Sequence, residues 1–360
     1  MSTQVPIRTE QLRRFCIEAM QRCGMRELDA RTTADVLVTT DAWGVHSHGT
    51  LALRKYMDRV RAGGVDAQAD PEVVTESEAW AIVDGHDALG MVTACRAMQV
   101  AIEKARNAGI AYVGVRGSTH FGAAGYYANL AAEQQMIGLS MTNTNPVMAG
   151  VGSRGRIMGN NPLAFAAPVG DGHPVVLDIA MSTVAGGVVA AAMAEGRVIP
   201  DHWMLDTDGQ PTTDPSWFGR EGPLQPVGAH KGYGLAVMVE ILVAVLTGSG
   251  MTDQIVPWSR RPESPTNTGH AFVAIDINSI MPLEQFFDRI THLCGNLCGA
   301  DLADGAQQIL MPGQIEWDRY DQAMAHGMVL PQRAIESLEG LADDVEMDFA
   351  QYVNSSQTGQ

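Results

Sequence analysis

The chain has 360 residues, of which 46% are hydrophobic and 18% are charged, a composition typical of a folded globular protein. Its length exceeds what one hydrophobic core usually organises, so we expect more than one lobe. A formal net charge of -17 repels nucleic-acid phosphates and anionic membrane surfaces, which excludes both as expected partners. It does not exclude an anionic small molecule in a locally positive pocket.

Several features are typical of a cytoplasmic protein. The opening residues "MSTQVPIRTE" contain no apolar segment of a secretory signal, and the five cysteines are scattered and odd in number. Cys294 and Cys298 lie one helical turn apart, but no further residues with zinc-like spacing are near, so we expect both to be buried structural residues. The longest apolar stretch, "LAVMVEILVAVLTG", is too short to span a membrane and predicts a buried core helix.

The first elements are predicted helices over residues 9–24 and 27–43, where apolar residues recur at helical spacing. From Trp80 the pattern changes to a strand, "WAIVDG", an amphipathic helix that ends at Gly109, and a second strand, "IAYVGV". The segment "RGSTHFGAAGYYANLAAEQQ" then passes through a glycine-rich turn into a helix, and "IGLSMTNT" returns as a strand.

The regular alternation then stops. "PLAFAAP" and "PVVLDIA" flank the polar turn "VGDGH" and predict an antiparallel hairpin. A loop-rich stretch, the long apolar helix and a proline-rich segment at residues 257–265 follow, before the strand "HAFVAIDI". Two helices, "PLEQFFDRITHLCGN" and "QRAIESLEGLADDVE", complete a predicted α/β (α+β) chain.

The segment "GVHSHG" concentrates candidates for acid–base chemistry, because histidine titrates near neutral pH. The flanking glycines favour an extended backbone, in which His46 and His48 face one site and Ser47 faces away. A structural pair bonded to the backbone and a pair of zinc ligands are the alternatives, although no third ligand is apparent by spacing.

Three further segments carry candidate site residues. In "RGSTHFGAAGYYA", glycines before a helix can present backbone N–H groups to a pyrophosphate, and His120 adds a second acid or base. In "AHKGYGLA", Lys231 stands at a helix N-terminus, which is unfavourable unless an anionic ligand or solvent lies beside it. In "LDIAMS", Asp178 ends an apolar strand, where it either orients a histidine or caps the next turn.

Taken in order, these segments resemble the type-2 malate/L-lactate dehydrogenase family, which includes ureidoglycolate and sulfolactate dehydrogenases and diketogulonate and piperideine-2-carboxylate reductases. The matching pieces are "GVHSHGT", the spacing of Tyr56, Arg59, Gly63 and Gly64, "GSTHFGAAGYYA", "NTNP", "GNNPLAFAAP", "VLDIAMS", "DGQPTTDP", "HKGYGLAVMVEIL" and "MPGQIEW".

The resemblance implies a homodimeric oxidoreductase that uses NAD or NADP and has a non-Rossmann fold with a largely antiparallel sheet. It implies a helical segment at residues 1–75 with the two histidines, an α/β segment at 76–118, a cofactor domain at 119–310, and a C-terminal segment at 311–360 that packs back on the N-terminal lobe. The expected substrate is a small anionic 2-hydroxy or 2-oxo acid, or a related carbonyl or imine acid.

The resemblance also implies roles for individual residues. His48 is the expected proton donor, with Ser47 and Asp178 as a relay and His120 close to substrate and nicotinamide. His46, Arg54 and Asn160 are expected to contact the substrate. The expected cofactor contacts are His120, Phe121, Gly122, Ala123, Ala124, Thr144, Asp178, Ile179, Ala180, Lys231, Gly232, Pro312 and Gly313.

The sequence departs from the family pattern at three positions. Ala52 stands where many members carry an arginine that binds the substrate carboxylate, and Asn160 and Val188 replace the usual threonine and lysine. An arginine that binds a carboxylate through two hydrogen bonds is hard to replace geometrically, so we expect a substrate other than a simple 2-oxo acid. The alternatives are a cofactor-binding homologue with impaired catalysis and a metal-dependent hydrolase that uses His46 and His48.

Overall fold

The computed structural model describes residues 6–258 and 260–353. The strands of this part form one seven-stranded sheet. They are β1 (Glu72–Glu76), β2 (Trp80–Asp84), β3 (Ile110–Ser118), β4 (Met136–Thr142), β5 (Leu163–Val169), β6 (Gly172–Ile179) and β7 (Thr268–Asp276). The helices are α1 (Thr9–Arg22), α2 (Glu27–Ala42), α3 (Leu53–Ala62), α4 (Gly90–Ala108), α5 (Ala124–Ala132), α6 (Gly186–Ala194), α7 (His230–Glu240), α8 (Leu283–Cys298), α9 (Gln314–His326), α10 (Gln332–Asp344) and α11 (Phe349–Val353).

The strand order is β1-β2-β3-β7-β4-β5-β6, and only the β2–β3 pair is parallel. Strand β7, from late in the chain, lies between β3 and β4 and is antiparallel to both. The expected mixed α/β fold with a largely antiparallel sheet is therefore confirmed. A doubly wound dinucleotide fold would instead have a mostly parallel sheet.

Local sequence explains the confirmed elements. The parallel β2–β3 pair is joined by α4, which ends at Gly109 with φ +82°, a conformation that favours glycine. The predicted hairpin is formed by β5 and β6, with Ala164 opposite Asp178. This register brings Asp178 to the end of β6, beside the turn that leads into α5.

The two ends of the described chain pack together in a helical lobe. Phe15 of α1 meets Phe349 of α11 edge to face, with ring centroids 4.8 Å apart. The backbone of Ile7 pairs with that of Met328, with the Ile7 N–H donating at 2.9 Å. Residues from both ends thus share one core.

The long apolar helix is only half buried, so the prediction of a buried core helix was wrong for one of its faces. Ala236, Val239 and Val243 are buried, whereas Met238 and Ile241 are 40% and 50% exposed. A helix that is apolar all round gives no sequence signal for which face lies outward. No helix in the described ranges is long and apolar enough to cross a membrane.

Candidate active site

A cavity of about 500 Å³ lies where β3, β4 and β6 end and where β5 and β7 begin. The turn after α2 and the first turn of α9 close it from the helical lobe. Its volume lies within the range of small-molecule and cofactor sites, about 300–1,000 Å³. It brings together residues that are far apart in sequence, including His48, His120 and Asp178.

The segment from His46 to His48 forms a single 3₁₀ turn, so the expected extended backbone was wrong. In this turn the two histidines point to different neighbours. The His46 Nδ1 pairs with the buried Asp41 carboxylate at 2.8 Å, whereas His48 and Ser47 line the cavity. Asp41 also accepts from the backbone N–H and hydroxyl of Thr50, and these contacts stabilise the tight turn.

Gly49 is required at the end of this turn. A Cβ at this position would lie 2.3 Å from a carboxylate oxygen of Asp41. Gly49 therefore allows close packing against a buried carboxylate, whereas a Cβ at Gly44 would lie 2.8 Å from the side chain of Arg319. The glycines that flank the histidines in the sequence thus indicate a compact turn, with Gly49 in contact with Asp41.

The ring of His48 is held from within its own turn. The Ser47 hydroxyl and the His48 Nδ1 are 2.9 Å apart. This contact leaves the other ring nitrogen, Nε2, for a ligand in the cavity. Burial lowers the pKa of His48, so its imidazole is neutral at neutral pH.

The turn between β3 and α5 positions His120. Gly122, with φ +81°, reverses the chain so that its N–H points at the His120 Nδ1, 3.4 Å away. The Tyr56 hydroxyl is 2.6 Å from the same nitrogen. Because a backbone N–H can only donate, Nδ1 accepts and the hydrogen of the neutral ring resides on Nε2.

Burial, together with the nearby His48 and His270, lowers the pKa of His120 to about 3. The rings of His48 and His120 are stacked with centroids 5.7 Å apart. Two imidazoles so close do not both carry a charge, since each disfavours protonation of the other. The pair therefore supplies a fixed N–H donor and a separate group able to exchange a proton.

An aromatic wall flanks these imidazoles. Trp258 stacks on His120 with centroids 4.6 Å apart and on Tyr56 with centroids 5.2 Å apart. Neither Trp258 nor Tyr56 was assigned to the site from the sequence. Tyr56 was part of the quoted family spacing and could have been assigned from it, whereas Trp258 belongs to a proline-rich segment with no chemical signal.

Asp178 caps a helix and makes no hydrogen bond to a histidine in the described chain. Its Oδ2 accepts from the Gly125 N–H in the first turn of α5 at 2.7 Å. Its side chain borders the cavity, where burial and the nearby Glu316 raise its pKa to about 6 although the Gly125 bond lowers it. Asp178 therefore caps α5 and not the turn that follows β6, so both alternatives from the sequence were wrong about its partner.

Most expected cofactor residues line the cavity. They are His120, Phe121, Gly122, Ala123, Ala124, Thr144, Asp178, Ala180, Pro312 and Gly313. Ile179, Lys231 and Gly232 do not line it. Ile179 alternates to the other face of β6, Lys231 is exposed at the start of α7, and Gly232 is packed against backbone carbonyls.

The walls fit an elongated dinucleotide. Helix α6 begins at Gly186, and its first turn, with Ala185, borders the cavity, where unpaired N–H groups suit a phosphate. A Cβ at Gly186 would lie 2.9 Å from the ring of Phe218, so a larger residue would narrow this end. We conclude that the residues present are compatible with a nicotinamide dinucleotide.

The expected substrate residues are separated in the structure. Asn160 lines the cavity, and its Oδ1 accepts from the Thr144 hydroxyl at 3.0 Å. His46 turns away to Asp41, as described above. Arg54 pairs with Asp344 of α10 through two hydrogen bonds of 2.9 and 3.1 Å, outside the cavity.

The described residues contain no group of three or more His, Cys, Asp or Glu side chains arranged to hold a metal ion. His46, one of the two proposed ligands in the hydrolase alternative, has its Nδ1 engaged by Asp41. The five cysteines are free thiols. Cys294 and Cys298 both lie on α8, where Cys294 is half-buried and Cys298 is exposed, so the prediction that both are buried was wrong.

Comparison with known proteins identifies the family. The model of the malate/L-lactate dehydrogenase family matches residues 7–339. The chain is 35% identical to malate dehydrogenase of Pyrococcus horikoshii over 341 residues, which cover 93% of this chain and 94% of the relative. It is 36% identical over 300 residues to a Delta(1)-pyrroline-2-carboxylate/Delta(1)-piperideine-2-carboxylate reductase of Pseudomonas syringae, covering 83% of this chain and 85% of the relative.

Comparison with solved structures gives the same family. The sulfolactate dehydrogenase of Methanocaldococcus jannaschii superposes with a TM-score of 0.90 at 34% identity, covering 97% of this chain and 100% of the other. Fold, site and sequence thus define a dehydrogenase or reductase that acts on CH–OH or C=N groups. The chain belongs to the malate/L-lactate dehydrogenase family.

Proposed function

We propose that this protein is an NAD(P)-dependent oxidoreductase that transfers a hydride between nicotinamide and C2 of a 2-hydroxy or 2-oxo acid, or of a related carbonyl or imine acid. One observation carries the proposal: His48 and His120 stack 5.7 Å apart in the wall of the cavity that the expected cofactor residues line. We place the enzyme in the cytoplasm.

His48 is the proton donor in reduction and the acceptor in oxidation. Its lowered pKa keeps it neutral near pH 7, ready to take a proton from a substrate hydroxyl. Ser47, bonded to Nδ1, orients the ring and shares its charge when the proton has moved. His120, fixed as the Nε2–H form by Tyr56 and Gly122, donates a hydrogen bond to the substrate oxygen or nitrogen.

A bound nicotinamide supplies or takes up the hydride. The α5 turn, the Pro312–Gly313 turn and the first residues of α6 would hold the cofactor. Asp178 occupies the N–H of Gly125, so the free N–H groups at the start of α6 would bind the phosphates, and Thr144 would border the cofactor.

The relatives bear names of enzymes for malate, sulfolactate, ureidoglycolate and cyclic imine acids. Arg54 is held in an ion pair with Asp344, and Ala52 offers no charge. Substrate recognition here depends on polar groups such as Asn160 and Asn145 and on the aromatic wall. The lack of an arginine at position 52 therefore favours a substrate other than a simple 2-oxo acid.

The enzyme forms a homodimer in this proposal. The outward face of α7 and the residues after it expose a row of apolar side chains. They are Leu235, Met238, Ile241, Val245 and Leu246. A second copy of the chain that covers this row removes it from water, which stabilises an assembly.

A kinetic screen tests the proposal. Purified protein is mixed with NADH or NADPH and with a panel of 2-oxo acids, diketones and cyclic imines, and the loss of reduced-nicotinamide absorbance is followed. Turnover with at least one acid supports the assignment. Binding of both reduced cofactors without turnover of any compound contradicts it and favours the catalytically impaired homologue.

A further inference from the structure

Arg59 is a buried cation with an unusual set of partners. Its side chain is on α3, one turn after Tyr56, and only 1% of the residue is exposed. It forms no ion pair within 4.0 Å in the described chain, and its Nε has no hydrogen-bond partner there. A buried charge without a carboxylate costs free energy unless its hydrogen bonds compensate.

The hydrogen bonds of Arg59 go to backbone carbonyls. Nη1 donates to Trp258 and Arg261 at 2.9 Å each, and Nη2 donates to Ser264 at 2.6 Å and Gly64 at 3.1 Å. Three of these acceptors belong to the proline-rich segment of residues 257–265. The described residues of this segment lie in no helix or strand, so its position depends on such contacts.

The turn after α3 is shaped to receive that segment. A Cβ at Gly64 would lie 2.2 Å from the carbonyl oxygen of Pro262 and 2.9 Å from that of Ser264. The segment therefore packs directly on the backbone at Gly64, with the guanidinium group of Arg59 beside it. The planar fork of arginine reaches all four oxygens at once, which a lysine ammonium with three donors does not.

The clamped segment carries Trp258, whose indole stacks on His120 and on Tyr56. Two residues of α3 thus act on His120. The Tyr56 hydroxyl contacts the Nδ1 of His120 directly, and Arg59 bonds to the backbone of Trp258, whose indole ring covers the imidazole. Among the described residues of the segment, Trp258 lines the cavity, and Val256 lines it just before the segment begins.

We propose that Arg59 is a positioning residue: it fixes the 257–265 segment on α3 so that Trp258 covers the imidazole of His120 and holds its Nε2–H toward the substrate. This inference rests on the proposed function for its effect on turnover. Its structural part concerns only Arg59, Trp258 and His120, and can be tested without a substrate.

The inference predicts a change in the titration of His120. Covered by Trp258, the ring is poorly solvated, and the titratable groups that face it are His48, His270 and Tyr56. Release of the segment admits water, and the pKa of His120 rises from about 3 toward its ordinary value of 6.5. A purely structural arginine would change stability without this rise.

The experiment uses ring-¹⁵N histidine NMR of the full chain, with the signal of His120 assigned by H120Q. The variants are R59M, R59K, W258A and W258F, with R22M as control, because Arg22 donates to the Val345 and Glu346 carbonyls in the helical lobe. R59M, R59K and W258A are expected to raise the pKa of His120 by at least one pH unit and to lower kcat by about tenfold or more. W258F, which keeps a ring, and R22M retain the wild-type titration.

A double variant decides whether Arg59 acts through Trp258. In R59M/W258A the effect of R59M on the His120 titration should vanish, because the ring it positions is gone. Additive effects of the two substitutions would overturn the proposal, as would an unchanged His120 titration in R59K. If R59M does not fold, R59K and W258A still give these outcomes, and a lack of turnover in the wild type would count against the proposed function alone.

Discussion

Replacing Tyr56 with phenylalanine removes the hydroxyl that holds His120 and leaves the aromatic ring in its place. The hydroxyl is 2.6 Å from the His120 Nδ1, and the remaining donor, the Gly122 N–H, is 3.4 Å away and makes only a weak hydrogen bond. A buried acceptor that loses its partner costs about 1–3 kcal/mol. If His120 acts mainly in the transition state, kcat/KM falls about 5- to 150-fold.

Tyr112 offers a matched control. Its hydroxyl donates to the Leu242 carbonyl at 2.7 Å, away from the cavity. Initial rates and thermal unfolding of Y56F and Y112F are compared with the wild type. We expect similar losses of stability in both variants and a loss of kcat/KM in Y56F alone. A Y56F enzyme within about twofold of wild-type kcat/KM would refute the reasoning.

The remaining predictions concern pH. Burial lowers the pKa of His48, so kcat/KM for substrate oxidation should decline only below pH 6.5. A pH profile whose acid limb is centred above pH 6.5 would contradict the role of His48 as the base. His270 is fully buried and its pKa is lowered to about 3, so below pH 6.5 the unfolded chain binds a proton that the folded chain does not. The free energy of unfolding therefore falls as the pH drops, by about 2 kcal/mol near pH 5, and this dependence on pH should weaken in H270N. Denaturant unfolding at several pH values tests this, and the same dependence on pH in H270N and in the wild type would contradict it.

Local patterns in the sequence were sufficient for most helices and for the β5–β6 hairpin. Periodicity and glycine positions act over short distances, and Gly109 and the "VGDGH" turn illustrate this. The insertion of β7 between β3 and β4 was not predictable in the same way. Strand pairing over more than 100 residues depends on packing that periodicity does not encode.

In the candidate active site, too, some features could be predicted from the sequence and others could not. His48, His120 and Asp178 were identified from residue type and family spacing, and the structure places all three at one cavity. The turn at His46 and the ion pair of Arg54 were missed because each depends on a partner, Asp41 or Asp344, that sequence spacing does not reveal. Trp258 was missed because its role depends on contacts made by Arg59, about 200 residues earlier.

The central claim is that His48 exchanges the proton while a nicotinamide exchanges the hydride. The most direct test is H48N, studied with the best substrate from the screen and with NADH or NADPH binding followed by fluorescence. We expect kcat to fall about 10²- to 10⁴-fold, while the dissociation constant of the cofactor stays at its wild-type value. Turnover close to that of the wild type, with the cofactor still bound, would contradict it.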